Sequence, residues 1–303
     1  MPPKLFTVRL ILIMAAISAG YMLISYLLIG FRPEQLFLVI LCNVLFFASL
    51  ATRSFVVAFS VFIVYWIIFD YMKAFPNYKY HAVHIESIYN AEKNIFGITT
   101  ADGKIVTPNE YWQLHQHTWI DFMAGLFYLC WIPVPLMFAM YLYFKRRRQF
   151  FYFAFTFLLV NLLGFVIYYS YPAAAPWYVT EYGFVFNANT PGNTAGLARF
   201  DALVHANIFK SLYTKGSNVF AAMPSLHSAY PIIVFYYAVK NKLKYMKFVF
   251  ALVMCGIWFS AVYTNHHYVL DVLAGIACAI TGIWLFSLAG NKLLPEKNFK
   301  TIS

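Results

Sequence analysis

Long apolar runs separated by short polar punctuation dominate the chain. Eight of them lie at residues 8–30, 34–51, 54–72, 119–144, 150–171, 224–240, 246–264 and 268–290, each near the length of about 17–25 residues that crosses a bilayer as a helix. Only "ATRSF" separates the second run from the third, so these two read either as two spans or as one bent, re-entrant pair. The first run is long and lacks a small-residue cleavage site, which predicts an anchor rather than a cleaved leader. No internal repeat, low-complexity tract or separate soluble domain interrupts the pattern. The expected architecture is an all-α integral membrane bundle of about eight (six to eight) helices, read as a single domain over 1–303. Within it, helices fill 1–72, a polar segment fills 73–118, a core fills 119–290 and a tail fills 291–303.

Composition agrees with this reading. The chain is 62% hydrophobic and 11% charged, whereas soluble domains carry about 25% charged residues. Cys42, Cys130, Cys255 and Cys278 fall inside apolar runs at no metal-type spacing and read as small buried hydrophobes.

The net charge of +11 is unevenly placed. With eight spans, one face receives Lys4, Arg9, Arg53, "KRRR" (145–148), "KNKLKYMK" (240–247), Lys292, Lys297 and Lys300. That is 14 of the 22 basic residues, accompanied by the single acid Glu296. Cationic connections stay in the cytoplasm, so both termini are expected there, with 73–118 and 172–223 on the opposite face. The basic clusters are short and juxtamembrane. They suit anionic lipid headgroups and exclude a nucleic-acid groove.

On that opposite face two apolar runs open on histidine, in "MPSLHSAYP" (223–231) and "NHHYVLD" (265–271). His267 and Asp271 are four residues apart, on one face of a helix. A carboxylate one turn along can take the Nδ1 proton of the imidazole, leaving Nε2 free to attack phosphorus. A second histidine, His227, could protonate the leaving oxygen and then deprotonate an acceptor. Pro224 suits a first helical turn, which would aim the N–H groups of Ser225, Leu226 and His227 at a phosphate. Histidines at helix ends are more often interfacial, and His117/Asp121 and Asp201/His205 share the same spacing. What singles out the 267/271 pair is an aspartate within a span, which costs about 2.5–3.5 kcal/mol to insert.

"PSLH" and "HHYVLD" resemble the second and third signature motifs of the type-2 phosphatidic acid phosphatase superfamily. "PAAAPWY" (172–178), "GLARFD" (196–201), "MPSLHS" (223–228) and "NHHYVLDVLAG" (265–275) follow, in order, the pattern of one branch, the inositol phosphorylceramide synthases. "HTWIDFMAGLFYLCWIPVPL" (117–136) adds a weaker similarity. The resemblance implies His267 as nucleophile, Asp271 as its orienter and His227 as general acid/base. It implies a phosphatidylinositol-like donor and a ceramide-like acceptor, with no metal or other cofactor. The broader superfamily's cationic phosphate clamp is missing, since Tyr168, Ala175 and Ala261 stand at its positions. Arg199 is therefore the first candidate to balance phosphate charge, with Ser225 and Asn265 as further donors. Trp177, Tyr178, Lys210 and Lys215 are candidates to line the substrate pocket.

The histidines of the 73–118 segment (His81, His84, His115 and His117) are irregularly spaced and read as surface positions rather than a zinc site. "ESIYNAEKNIFG" within it predicts a short amphipathic helix, and the segment as a whole reads as a loop covering the site. The expected activity is transfer of a phosphorylated headgroup between membrane lipids, at the non-cytoplasmic face. Hydrolysis by the same residues, with water as acceptor, is the nearest alternative. A lipid transporter is a further alternative, though the polar residues cluster at one end instead of crossing the bilayer.

Overall fold

A computed structural model of the chain describes residues 5–214 and 218–295. They form two compact units, divided between residues 76 and 77.

The first unit holds α1 (Val8–Ile29), α2 (Pro33–Ala48) and α3 (Leu50–Tyr71). "ATRSF" is not the link between the second and third runs, because it lies within α3. The break falls at Ser49, whose extended backbone ends α2. Ser49 and Thr52 cap α3 reciprocally, each side-chain oxygen accepting the other's N–H at 3.0 Å. α2 and α3 pack against each other as separate helices. Ser25 and Tyr71 hydroxyls meet at 2.8 Å, and Asn43 Nδ2 donates to Ser18 Oγ at 2.8 Å. These bonds tie the helices together where apolar burial cannot, because lipid is as apolar as leucine.

The second unit opens with α4 (Glu86–Phe96), a two-residue hairpin pairing Ile98–Thr99 with Ile105–Val106, and α5 (Pro108–Leu114). The expected amphipathic helix is α4. Then come α6 (Thr118–Leu129), α7 (Pro133–Lys145) and α8 (Arg147–Ser170). The apolar run at 119–144 is thus two helices. Pro133 and Pro135 supply no N–H to the preceding turn, and the chain breaks at 130–132. Short helices α9 (Pro176–Tyr182), α10 (Leu197–Leu203) and α11 (Ile208–Tyr213) precede α12 (Leu226–Lys240), α13 (Met246–Tyr263) and α14 (Val269–Leu293). α12 packs on α8, α13 and α14 at the centre of the unit.

Counting the α6–α7 pair as one, six segments among the described residues are long and apolar enough to span a membrane. α2 and α12 complete the eight expected runs, but at 16 and 15 residues they are short for a span. Pro231 is accommodated inside α12.

Candidate active site

His227 lies in the first turn of α12, and His267 in the turn joining α13 to α14. Their rings meet directly, with His227 Nδ1 3.1 Å from His267 Nε2. Asp271 is fully buried in the first turn of α14. Its Oδ2 lies 3.5 Å from the other ring nitrogen of His267, Nδ1, so the two expected motifs form one site. The carboxylate's shorter bond is to the N–H of Tyr268, 2.9 Å from the same Oδ2. At 3.5 Å the Asp271–His267 contact is an ion-pair distance, longer than a formed hydrogen bond.

The α13–α14 turn is tightly wound. Asn265 adopts a left-handed φ of 64°, and the N–H groups of His266 and His267 both donate to the Ala261 carbonyl, at 3.1 and 2.9 Å. His266 has its own partner, its Nε2 2.8 Å from the Thr194 carbonyl. Burial, with the neighbouring His267, pushes the His266 imidazole down to about 3 despite that carbonyl. His266 is therefore neutral and structural.

The last turn of α6 and the break after it supply two groups that the sequence did not single out. Tyr128 places its hydroxyl 3.2 Å from His227 Nδ1, and Trp131 packs edge-on against the same imidazole at 4.4 Å. Asp121, on α6, accepts from Arg199 Nε at 2.6 Å and from the Tyr263 hydroxyl at 2.9 Å. Arg199 Nη2 is buried with no partner among the described residues. The guanidinium is thus anchored through one nitrogen and has donors in reserve. The His117/Asp121 spacing serves this anchor instead of a second catalytic pair: His117 caps α6 through Nδ1, 3.3 Å from the Trp119 N–H.

The remaining expected residues are placed as follows. Pro224 precedes α12, not within its first turn, because Ser225 is the cap. Ser225 is fully buried and its N–H donates to the Asp271 carbonyl at 2.9 Å. Its hydroxyl accepts from the N–H and the hydroxyl of Ser228, at 3.3 and 3.0 Å. Ser225 therefore joins the two motif helices. Asn265 donates through Nδ2 to Thr180 Oγ1 at 3.1 Å, and its carbonyl accepts from the Trp177 N–H at 3.0 Å. Trp177 and Tyr178 sit in a buried cluster with Ala174 and Phe220, Tyr178 bonding Val185 O and Asn187 N at 2.8 Å.

Lys210 lines a cleft of about 460 Å³ with Thr194, Ala198, His205 and Asn207, while Lys215 lies outside the described residues. Asp201, also on that cleft, caps α11 by accepting from the N–H groups of Phe209 and Lys210. The histidines of the polar segment are engaged separately. His84 stacks on Tyr171 at 3.8 Å and His115 on Tyr111 at 4.1 Å.

Comparison with known proteins agrees with the geometry. The PAP2 superfamily profile matches residues 106–285, which include every member of the His/His/Asp constellation. The phosphoinositol dihydroceramide synthase of Bacteroides thetaiotaomicron is 46% identical over 302 residues, 99% of this chain and 97% of that protein. The inositol phosphorylceramide synthase catalytic subunit of Saccharomyces cerevisiae is 36% identical over 119 residues, 38% of this chain and 29% of that protein. The inositol phosphorylceramide synthase of Candida albicans is 32% identical over 145 residues, 48% of this chain and 30% of that protein. No solved structure matches the chain. An all-α membrane core with two motif histidines in direct contact, matched over most of its length by this profile, places the chain in the PAP2 superfamily.

Proposed function

We propose that the protein transfers a phosphoinositol-type headgroup from a glycerophospholipid to a ceramide-type acceptor through a phosphohistidine at His267. The observation that carries this reading is the 3.1 Å contact of His267 Nε2 with His227, backed by Asp271 on the opposite ring nitrogen. The near full-length likeness to a phosphoinositol dihydroceramide synthase supports the choice of lipids.

With its proton on Nδ1, favoured by the Asp271 charge 3.5 Å away, His267 presents a lone pair on Nε2. That lone pair attacks phosphorus, the bond to the diacylglycerol oxygen breaks, and His227 gives that oxygen its proton. The acceptor hydroxyl then loses its proton to His227 and attacks phosphorus, and the P–Nε2 bond breaks. In the resting site the two rings bond each other, and the phosphoryl group takes the place between them. The spare Arg199 nitrogens and the unused N–H groups of the first turn of α12 balance its charge. The cleft beside Lys210 receives the polar headgroup. Following the cationic connections, the termini face the cytoplasm and the site the opposite side.

The test uses purified protein in lipid nanodiscs with headgroup-labelled phosphatidylinositol, with and without ceramide. Label is expected in a new lipid only when ceramide is present. Release of label to water regardless of acceptor would replace transfer by hydrolysis.

A further inference from the structure

The 73–118 segment reads as a covering loop, yet two of its buried polar side chains, Glu92 and Asn109, reach the turn that carries His267. Glu92, on α4, is 0% exposed. Its Oε1 accepts from the Val269 N–H at 2.9 Å and its Oε2 from the Leu270 N–H at 3.0 Å. These are the first two residues of α14, whose N–H groups have no partner within the helix. The cap residue of α14 is Tyr268, whose side chain is not a short oxygen acceptor of the kind that caps helices well. Glu92 supplies that function from a distant part of the chain.

Asn109, on α5, is 1% exposed and grips the other side of the same turn. Its Nδ2 donates to the carbonyls of Val262 and His267, both at 2.9 Å. Two N–H groups and two carbonyls flanking the nucleophile are thus held by two side chains. α4 and α5 are themselves cross-braced, because Tyr89 donates to Glu110 Oε1 at 2.9 Å while Glu110 Oε2 accepts from the Thr107 N–H at 2.8 Å. None of these groups touches His227, Arg199 or the imidazole of His267 in the described contacts, so none is placed to react.

We propose that Glu92 and Asn109 are positioning residues for phosphoryl transfer, clamping the α13–α14 turn so that His267 Nε2 keeps its bearing toward His227. This rests on the reading of His267 as nucleophile. A clamp on geometry acts on the reacting arrangement, not on lipid binding, so its removal lowers kcat and leaves KM in place.

The experiment compares wild type, E92Q, N109A, the double variant and H267N as full-length proteins in nanodiscs, measuring kcat and KM for donor and acceptor. E92Q keeps shape but sets an amide donor against a backbone N–H. E92Q and N109A are each expected to lower kcat about 10- to 100-fold, with both KM values within about twofold. The double variant is expected to fall short of the product of the two losses, since both act on one turn. An unchanged kcat in folded E92Q and N109A would overturn the proposal, as would a rise in KM alone. If E92Q does not fold, N109A decides by the same criteria. Loss of folding in both would also overturn it, making the pair structural. H267N separates the two layers: if it still turns over, the nucleophile assignment fails first, whatever the clamp variants do.

Discussion

Gly275 offers a sharp test of how closely the two motif helices must approach. It sits on α14 one turn beyond Asp271, and a Cβ built there would lie 2.1 Å from the Ser225 carbonyl oxygen and 3.0 Å from its carbon. The obstructing atoms are backbone, so no side-chain rotation relieves the clash. Reaching ordinary van der Waals contact requires α12 and α14 to part by more than about 1 Å, and a misplacement of even that size costs about 10²-fold in rate. The same movement strains the Ser225 N–H bond to the Asp271 carbonyl, now 2.9 Å, and opens the 3.1 Å contact between the two imidazoles. Overpacking of this kind costs about 1–3 kcal/mol of stability, which the fold should survive. G275A is therefore expected to purify as a folded protein with kcat for headgroup transfer lowered about 100-fold. The assay is initial-rate transfer of labelled headgroup, with a thermal melt on the same sample. Activity within about threefold of wild type, in a folded protein, would show that helix approach at Gly275 does not set the catalytic geometry.

H267N should lower turnover by more than about 10³-fold with folding intact, and D271N should approach that loss because Asn holds the wrong tautomer; single-turnover trapping of phosphorylated protein checks both. D121N weakens a charge-assisted bond of about 1.5–3 kcal/mol to Arg199, so the donor KM should rise about tenfold or more; an unchanged donor KM moves phosphate binding elsewhere. Burial pushes the Glu92 carboxyl up to about 7, opposed by the Leu270 and Val269 N–H groups and reinforced by Asp271. Folded Glu92 thus holds a proton that the unfolded chain gives up above about pH 4.3, and its contribution to stability shrinks as pH rises from about 4 to about 7. Wild type should lose melting temperature relative to E92Q across that window, and parallel curves would contradict the shift.

The meeting of the two histidine motifs was legible because its signal is local. His227 opens one apolar run, and His267 with Asp271 fits one helical turn at the head of another, a costly placement that asks for a task. The anchoring of Arg199 was not legible, because Asp121 lies 78 residues away and shares its spacing to histidine with two other pairs. Glu92 and Asn109 act across 177 and 158 residues, from a segment whose composition reads as loop. Tyr128 lies in the weakly similar 117–136 stretch, but nothing there sets it apart in a chain with 24 tyrosines. Ser225 was misplaced by one structural position. With Pro224 set inside the helix, the serine looked like a phosphate donor, whereas Pro224 outside makes it the cap. The runs themselves were readable, but the breaks at Ser49 and at 130–132 depend on capping and proline geometry that hydropathy does not register.

The shortness of α12 has a consequence for where the reactants meet. Its 15 residues rise about 22 Å, against a hydrocarbon layer of about 30 Å. Lys240, Lys242, Lys244 and Lys247 follow directly. With those lysines at one headgroup plane, the paired imidazoles proposed to react would lie some way beneath the other, at the depth where acyl chains begin. A lipid hydroxyl arrives there by sliding sideways in its own leaflet. Water would have to descend to compete, and that difference in travel favours lipid over solvent as the second reactant.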